Sequence, residues 1–218
     1  MVRFEVLSTG YRCDDTMDRC IKSVQNQTHN TFLHRWKVDG ERKNRFGKMQ
    51  NFYKLAHETP SDYIICDLDL DDSLEPNALE TVAKEYEANP NLLMTTYGSY
   101  RMESGRPARF NGAYTSDKFR GLAWRGTHLK TFKASLFHKI KIESFKGPPD
   151  GGWLMVCADL AMMWPMMEIA GLDRIKFIDK PIYIYNDLSD LNDHKTQGAM
   201  QKRVEKWLRS RKPYKRLK

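Results

Sequence analysis

The chain predicts an α/β fold, a mostly parallel sheet flanked by helices in a single domain. Three observations lead there. Apolar runs of strand character alternate with helical apolar stripes from residue 4 to residue 97; each strand-like run gives way to a polar or acidic loop; and 218 residues with 40% apolar content suit one core.

Phe4 to Leu7 is a short strand, followed by the loop STGYRCDD. Met17, Cys20, Ile21 and Val24 then fall at i, i+3, i+4 and i+7, a helical stripe that Asp14, Asp15 or Thr16 can cap. Phe32 to Val38 forms a second strand ending at Asp39-Gly40, and Phe46, Met49, Tyr53 and Ala56 mark a second helix. The third strand is Tyr63 to Cys66. Pro76 suits the first turn of a helix carrying Leu79, Val82, Ala83 and Tyr86, and Leu92 to Tyr97 is a further strand. Such alternation implies parallel strands joined by right-handed crossovers, with ligands held beyond the strands' carboxyl ends. Loops 8–15, 39–45 and 67–75 therefore share a rim, which gathers Ser8, Thr9, Tyr11 and Asp39 around one crevice.

The same rim receives the densest chemistry in the chain. DYIICDLDLDDSLEP drives four carboxylates, Asp67, Asp69, Asp71 and Asp72, onto the end of a buried strand. Like charges so close repel unless a cation or protons intervene. Strand alternation puts Asp67, Asp69 and Asp71 on one side, and oxygen ligands suit Mn²⁺ or Mg²⁺ with room left for nucleotide phosphates.

The net charge of +8 is a property of the end of the chain: residues 202–218 hold nine bases and one acid, and the remaining 27 bases and 27 acids cancel. A neutral body argues against a nucleic-acid-binding face. Met200, Val204, Trp207 and Leu208 predict an amphipathic helix packed on the body, so residues 1–200 read as the domain and 201–218 as a basic helix or tail, with membrane-surface contact an open alternative. No stretch has the apolar length of a membrane span or a signal peptide, which suits a soluble, cytoplasmic protein. Cys13, Cys20, Cys66 and Cys157 lack CxxC spacing and read as reduced thiols.

Past residue 100 the alternation fails, and an Arg-, Gly- and aromatic-rich stretch reads as an irregular substrate-binding wall. After GPPDGG comes CADLAMMWPMMEIAG, in which Asp159 opens an apolar segment. At a helix start Asp159 is either an N-cap or a general base, Pro165 either kinks the helix or marks its true start, and the methionines read as adaptable core.

Taken together, VLSTGYRCDDTMDRCIKSVQNQT, KVDG, DYIICDLDLDDSLEPNAL and CADLAMMWPMMEIAG resemble the GT-A (Rossmann-like) nucleotide-sugar glycosyltransferases, specifically inverting family 2, over about residues 4–194. The resemblance implies a UDP-sugar donor, a hydroxyl on a glycan or glycoconjugate as acceptor, and Mn²⁺ or Mg²⁺. It places Ser8, Thr9, Tyr11, Asp39, Lys48 and Asp69 around the donor, with Asp39 facing the base. It further implies Asp71, Asp69 and a late histidine, His194, at the metal, and Asp159 as catalytic base. The sequence departs at Ala158, where the family usually has Glu, and at Ser8 and Tyr11, where it often has Pro and Asn. Arg125 and His128 are further sources of positive charge near phosphates, and Trp124, Trp153 and Tyr114 of a stacking surface. A minimal core of this kind also suits one module of a longer polypeptide. The rival readings are a haloacid-dehalogenase-type phosphatase using Asp67 and Asp69, and a non-enzymatic module binding an anionic surface through the tail.

Overall fold

A computed structural model describes residues 1–11, 13–40, 45–97, 100–106, 112–126, 128–190 and 196–218. Strand β1 (Phe4–Gly10) is buried along nearly its whole length: parallel neighbours, β2 (Phe32–Val38) and β3 (Ile64–Asp69), pair with both its edges, and its side chains enter apolar clusters on both faces, Phe4 and Val6 in one and Leu7 in the other. Helices α1 (Asp14–Gln25) and α2 (Gly47–Glu58) make the two crossovers. Strand β4 (Ser73–Leu74), helix α3 (Ala78–Ala88) and strand β5 (Met94–Tyr97) complete the predicted series.

Later come β6 (Arg101–Met102), β7 (Lys130–Lys133), α4 (Ala134–Phe137), α5 (Ala158–Ala170), β8 (Ile175–Ile178), β9 (Tyr183–Tyr185) and α6 (Gly198–Ser210). The main sheet runs β2-β1-β3-β7-β5-β8, and a small second sheet runs β4-β9-β6. One apolar cluster packs α2, α4, α5 and α6 on one side of the main sheet; a second packs α1 and α3 on the other. Among the described residues no helix is long and apolar enough to cross a membrane.

Several expectations need correction. The sheet is mostly parallel, as expected, but the alternating series is interrupted by a strand outside the predicted elements, β7, which runs antiparallel between β3 and β5. Its sequence, KTFK, hides a strand behind lysines; Lys130 lies opposite Asp67 in the register, and a buried cation there answers a buried anion. Strand β3 extends to Asp69, and Asp71 stands in the following turn, so the strand alternation that grouped it with Asp67 and Asp69 stops short. Cys13 holds the N-cap position of α1 with no side-chain cap, and the Thr16 hydroxyl turns back to donate to the Cys13 carbonyl at 3.0 Å. Pro76 precedes α3, whose N-cap is Asn77.

Helix α5 runs through Pro165 and is buried on every side, with Met162, Met163, Met166 and Met167 inside the core. The basic segment is seated rather than loose. Val204 and Leu208 of α6 are buried, Tyr214 N–H donates to Glu168 at 2.9 Å, and Leu217 N–H donates to Ile169 at 2.9 Å.

Candidate active site

The carboxyl ends of β1, β2 and β3 open on a cleft of about 800 Å³ whose far wall is the start of α5. Thr9, Tyr11, Asp39, Lys48, Asp69, Asp71 and Asp159 all line it. Ser8 does not, a correction to the donor set: its side chain points to the other face of β1 and pairs with His34 Nε2 at 3.0 Å.

Asp39 follows β2 and fixes the entry to α2. Its carboxylate accepts from Phe46 N–H at 2.7 Å, Gly47 N–H at 2.8 Å and Asn51 Nδ2 at 3.2 Å. Gly47 has φ +78°, a conformation that favours glycine, and the Met155 thioether lies against its Cα. Tyr11 lies under the Arg45 guanidinium, 4.2 Å from its ring centre.

The four carboxylates divide by environment. Asp67 is fully buried between two ammonium groups, Lys48 at 3.3 Å and Lys130 at 3.6 Å. Lys48 also donates to Asp69. Burial is the largest single influence on Asp69 and opposes its ionisation, but Lys48, through its charge and its hydrogen bond, acts together with the other nearby cationic groups, Lys130 among them, to bring the carboxyl down to about 2. Burial, then the Asp69 charge, pushes Asp71 up to about 6. Asp72 is pushed well above the ordinary carboxylate range by burial and by Asp71 and Asp69; its oxygens accept from Tyr183 O–H and from Asn186 N–H at 2.7 Å. Three neighbouring carboxyls that cannot all be ionised at little cost form a site poised for a cation.

Asp69, Asp72 and His128 each present a ligand atom within 4.8 Å of the others. This set replaces Asp71 with Asp72 and supplies its nitrogen from the segment before β7; His194 lies outside the described residues. Burial, then Lys130, holds the His128 pKa well below its ordinary value, so the ring is neutral, the form that ligates metals. His128 is stacked on Tyr183 with centroids 4.6 Å apart, which fixes the ring over the acids. The two carboxylates suit Mn²⁺ or Mg²⁺, and the imidazole nitrogen favours Mn²⁺ of the two.

At the far wall, Cys157 takes the N-cap position of α5 in the left-handed region, φ 58°, and Asp159 follows in the first turn. Asp159 is therefore not the N-cap; its Oδ1 accepts the neighbouring Leu160 N–H at 2.9 Å. Of the aromatic candidates, only Trp124 lines the cleft. Tyr114 is buried and accepts from Arg125 N–H at 2.8 Å, whereas Trp153 packs on Tyr53 at 5.1 Å. Arg125 turns to the Ala113 carbonyl at 3.3 Å rather than to the cleft. Asp67, buried in its ion pairs and absent from the cleft wall, is unsuited to the nucleophilic role that the phosphatase reading requires.

No family model matches the sequence, and no curated protein matches it. Solved structures do match in fold. TarS of S. aureus superposes with TM-score 0.61 at 12% identity, covering 94% of this chain and 39% of its own. TarS 1-349 in complex with UDP-GlcNAc gives TM-score 0.56 at 11% identity, covering 85% and 59%. The mannosyltransferase PcManGT from Pyrobaculum calidifontis, in complex with GDP-Man and Mn²⁺, gives TM-score 0.59 at 12% identity, covering 97% and 66%. The chain thus spans between 39% and 66% of the length of these proteins. At such identities the likeness is one of fold, and that fold is the GT-A type of the nucleotide-sugar glycosyltransferases.

Proposed function

We propose that the chain is a glycosyltransferase that moves a sugar from a UDP-sugar to a hydroxyl of a glycan or glycoconjugate acceptor, with inversion at the anomeric carbon. The observation that carries this reading is one cleft with two chemically opposed ends: the acids after β3 with Lys48 on one side, and Asp159, held at the start of α5, on the other. The neighbours in complex with UDP-GlcNAc and with GDP-Man support a nucleotide-sugar donor.

In this reading Tyr11 and Asp39 border the nucleoside, because they close the β1 and β2 ends of the cleft. Asp69, Asp72 and His128 would hold the divalent ion, with Asp71 beside them on the cleft wall. A bound ion there supplies charge neutralisation for the leaving diphosphate. To offer a lone pair His128 gives up the Lys130 ammonium on its Nδ1, 3.2 Å away, which the buried Asp67 retains. Lys48, held on Asp69, stays cationic because Asp67 and Asp69 outweigh the effect of its burial. Asp159 takes the proton from the acceptor hydroxyl, and attack from the face opposite the leaving group inverts the centre without a covalent intermediate. Residues 1–200 form the transferase unit, and 201–218 a basic segment seated against it.

The test is nucleotide binding and donor turnover. UDP with Mn²⁺ should raise the melting temperature more than GDP does, and one UDP-sugar in a panel should be hydrolysed slowly without acceptor. Asp159→Asn should lower transfer by about 10²–10⁴-fold while leaving UDP affinity intact. No stabilisation by any nucleoside diphosphate would reject the function; near wild-type transfer by Asp159→Asn would reject the base.

A further inference from the structure

A second cavity, of about 440 Å³ and open to solvent, lies between residues 141–144, α5 and the chain that follows α6. It shares no lining residue with the first. Its volume lies within the range of ordinary ligand sites.

The lining is cationic. Arg120, Lys141, Arg211 and Lys212 border the cavity against one carboxylate, Glu143. Arg120 is already satisfied, since it clasps Glu168 at 2.6 and 3.0 Å. Lys141, Arg211 and Lys212 are exposed and have no carboxylate partner among the described residues; Arg211 instead lies over the Trp207 ring at 5.0 Å, which fixes the guanidinium and leaves its N–H edges to donate. Polar groups line the cavity between them. Tyr214 O accepts from Lys141 N–H at 3.0 Å and lies 2.7 Å from Ser144 Oγ, so when Tyr214 donates to Ser144 the serine proton is left to donate into the cavity.

The site is also built rather than a loose end. Tyr214 is anchored through its N–H to Glu168, and Leu217 N–H to Ile169, so the chain that borders the cavity is tied to α5. Three cations on the lining, a serine hydroxyl able to donate and a single opposing acid match a multiply charged tetrahedral oxyanion.

We propose that this cavity binds a phosphate group. Its volume exceeds that of one phosphate, which favours a group carried on a larger molecule over the free ion. Helix α5 lines both cavities, with Asp159 in the first and Ala161 and Pro165 in the second. At 1.5 Å per residue the two sites lie within about 10 Å of each other along one rigid element. An occupant here therefore bears on the helix that carries Asp159. The inference does not depend on the transferase reading, because no cleft residue contributes to it.

The experiment is titration calorimetry of the whole chain with inorganic phosphate and with tripolyphosphate, at constant ionic strength set by chloride. Binding should weaken at least tenfold in the triple variant Lys141→Gln, Arg211→Gln, Lys212→Gln, and should not change in Arg45→Gln, which removes a cation from the cleft. All three side chains are exposed, so the triple variant should keep its melting temperature in phosphate-free buffer; the single variant Lys212→Gln, with a loss of about threefold, is the check if it does not. Tripolyphosphate binding at least tenfold tighter than phosphate would support a group carried on a larger anion, and equal affinities would support the free ion. No binding of either probe, or binding lost in Arg45→Gln and kept in the triple variant, would overturn the proposal.

Discussion

Removing the charge of Asp67 while Lys130 stays in place should be among the most damaging single changes in the sheet. Asp67→Leu leaves the Lys130 ammonium, 1% exposed, with the His128 ring nitrogen at 3.2 Å and no carboxylate opposite. At 3.6 Å the lost attraction is about 5 kcal/mol for an effective dielectric constant of about 20. Stranding a buried charge costs about 3–5 kcal/mol in comparable cases, a large share of the ~5–15 kcal/mol that stabilises a domain. Lys48 is less affected, because it keeps Asp69. Urea denaturation followed by circular dichroism should show a lower midpoint with an unchanged slope. Adding Lys130→Met should then recover all but about 1–2 kcal/mol, since a buried ion pair replaced by apolar residues of similar volume is often neutral. A loss below about 1 kcal/mol in the single variant, or a double variant as unstable as the single, would refute the idea that β7 is held in the sheet by this pair.

Three other outcomes follow from the geometry. Gly126→Ala should displace Trp124 from the cleft wall, because a Cβ there would collide with its indole; steady-state kinetics should show a raised KM, and unchanged kinetics would mean that Trp124 does not touch a substrate. His128→Ala should weaken Mn²⁺ binding about tenfold or more by calorimetry or by the Mn²⁺ resonance signal, and an unchanged affinity would remove His128 from the metal set, with His194→Ala then the comparison to run. His34 is held neutral in the fold by burial, with its pKa down to about 4. The unfolded chain protonates His34 near pH 6.5, so this contribution is complete above pH 6.5 and falls by about 1.4 kcal/mol per pH unit as pH drops toward 4. His34→Gln should flatten that part of the stability profile relative to the native chain.

The first half of the fold was legible because its apolar residues keep simple periods. Phe32 to Val38 is a strand with the predicted bounds, and the stripe at Met17, Cys20, Ile21 and Val24 is helix α1. Strand β7 was not legible, since past residue 100 the apolar alternation fails and a lysine at each end of KTFK hides the strand; the pairing with Asp67 accounts for the buried Lys130. The signal was present in another form: a fully buried carboxylate in β3 requires a cation across the strand, and KTFK supplies one in a short β-prone run. Ser8 failed for a different reason. Alternation along β1 puts Ser8 and Thr9 on opposite faces, and only Thr9 reaches the cleft.

The acids after β3 show how composition and site diverge. Read as a string, Asp67, Asp69, Asp71 and Asp72 are equivalent repelling charges. In the fold, two lysines neutralise Asp67, Lys48 stabilises the ionised Asp69, and Tyr183 and Asn186 bind Asp72. Asp72 is pushed well above the ordinary carboxylate range and Asp71 up to about 6, both by burial and by their acidic neighbours, and both line the cleft where a diphosphate and its cation would lie. The unfavourable crowding is thus greatest among the residues that face the cleft, and the residue that faces the sheet is paired with two cations. That division is what a site requires if it is to stay folded when empty and still favour a cation.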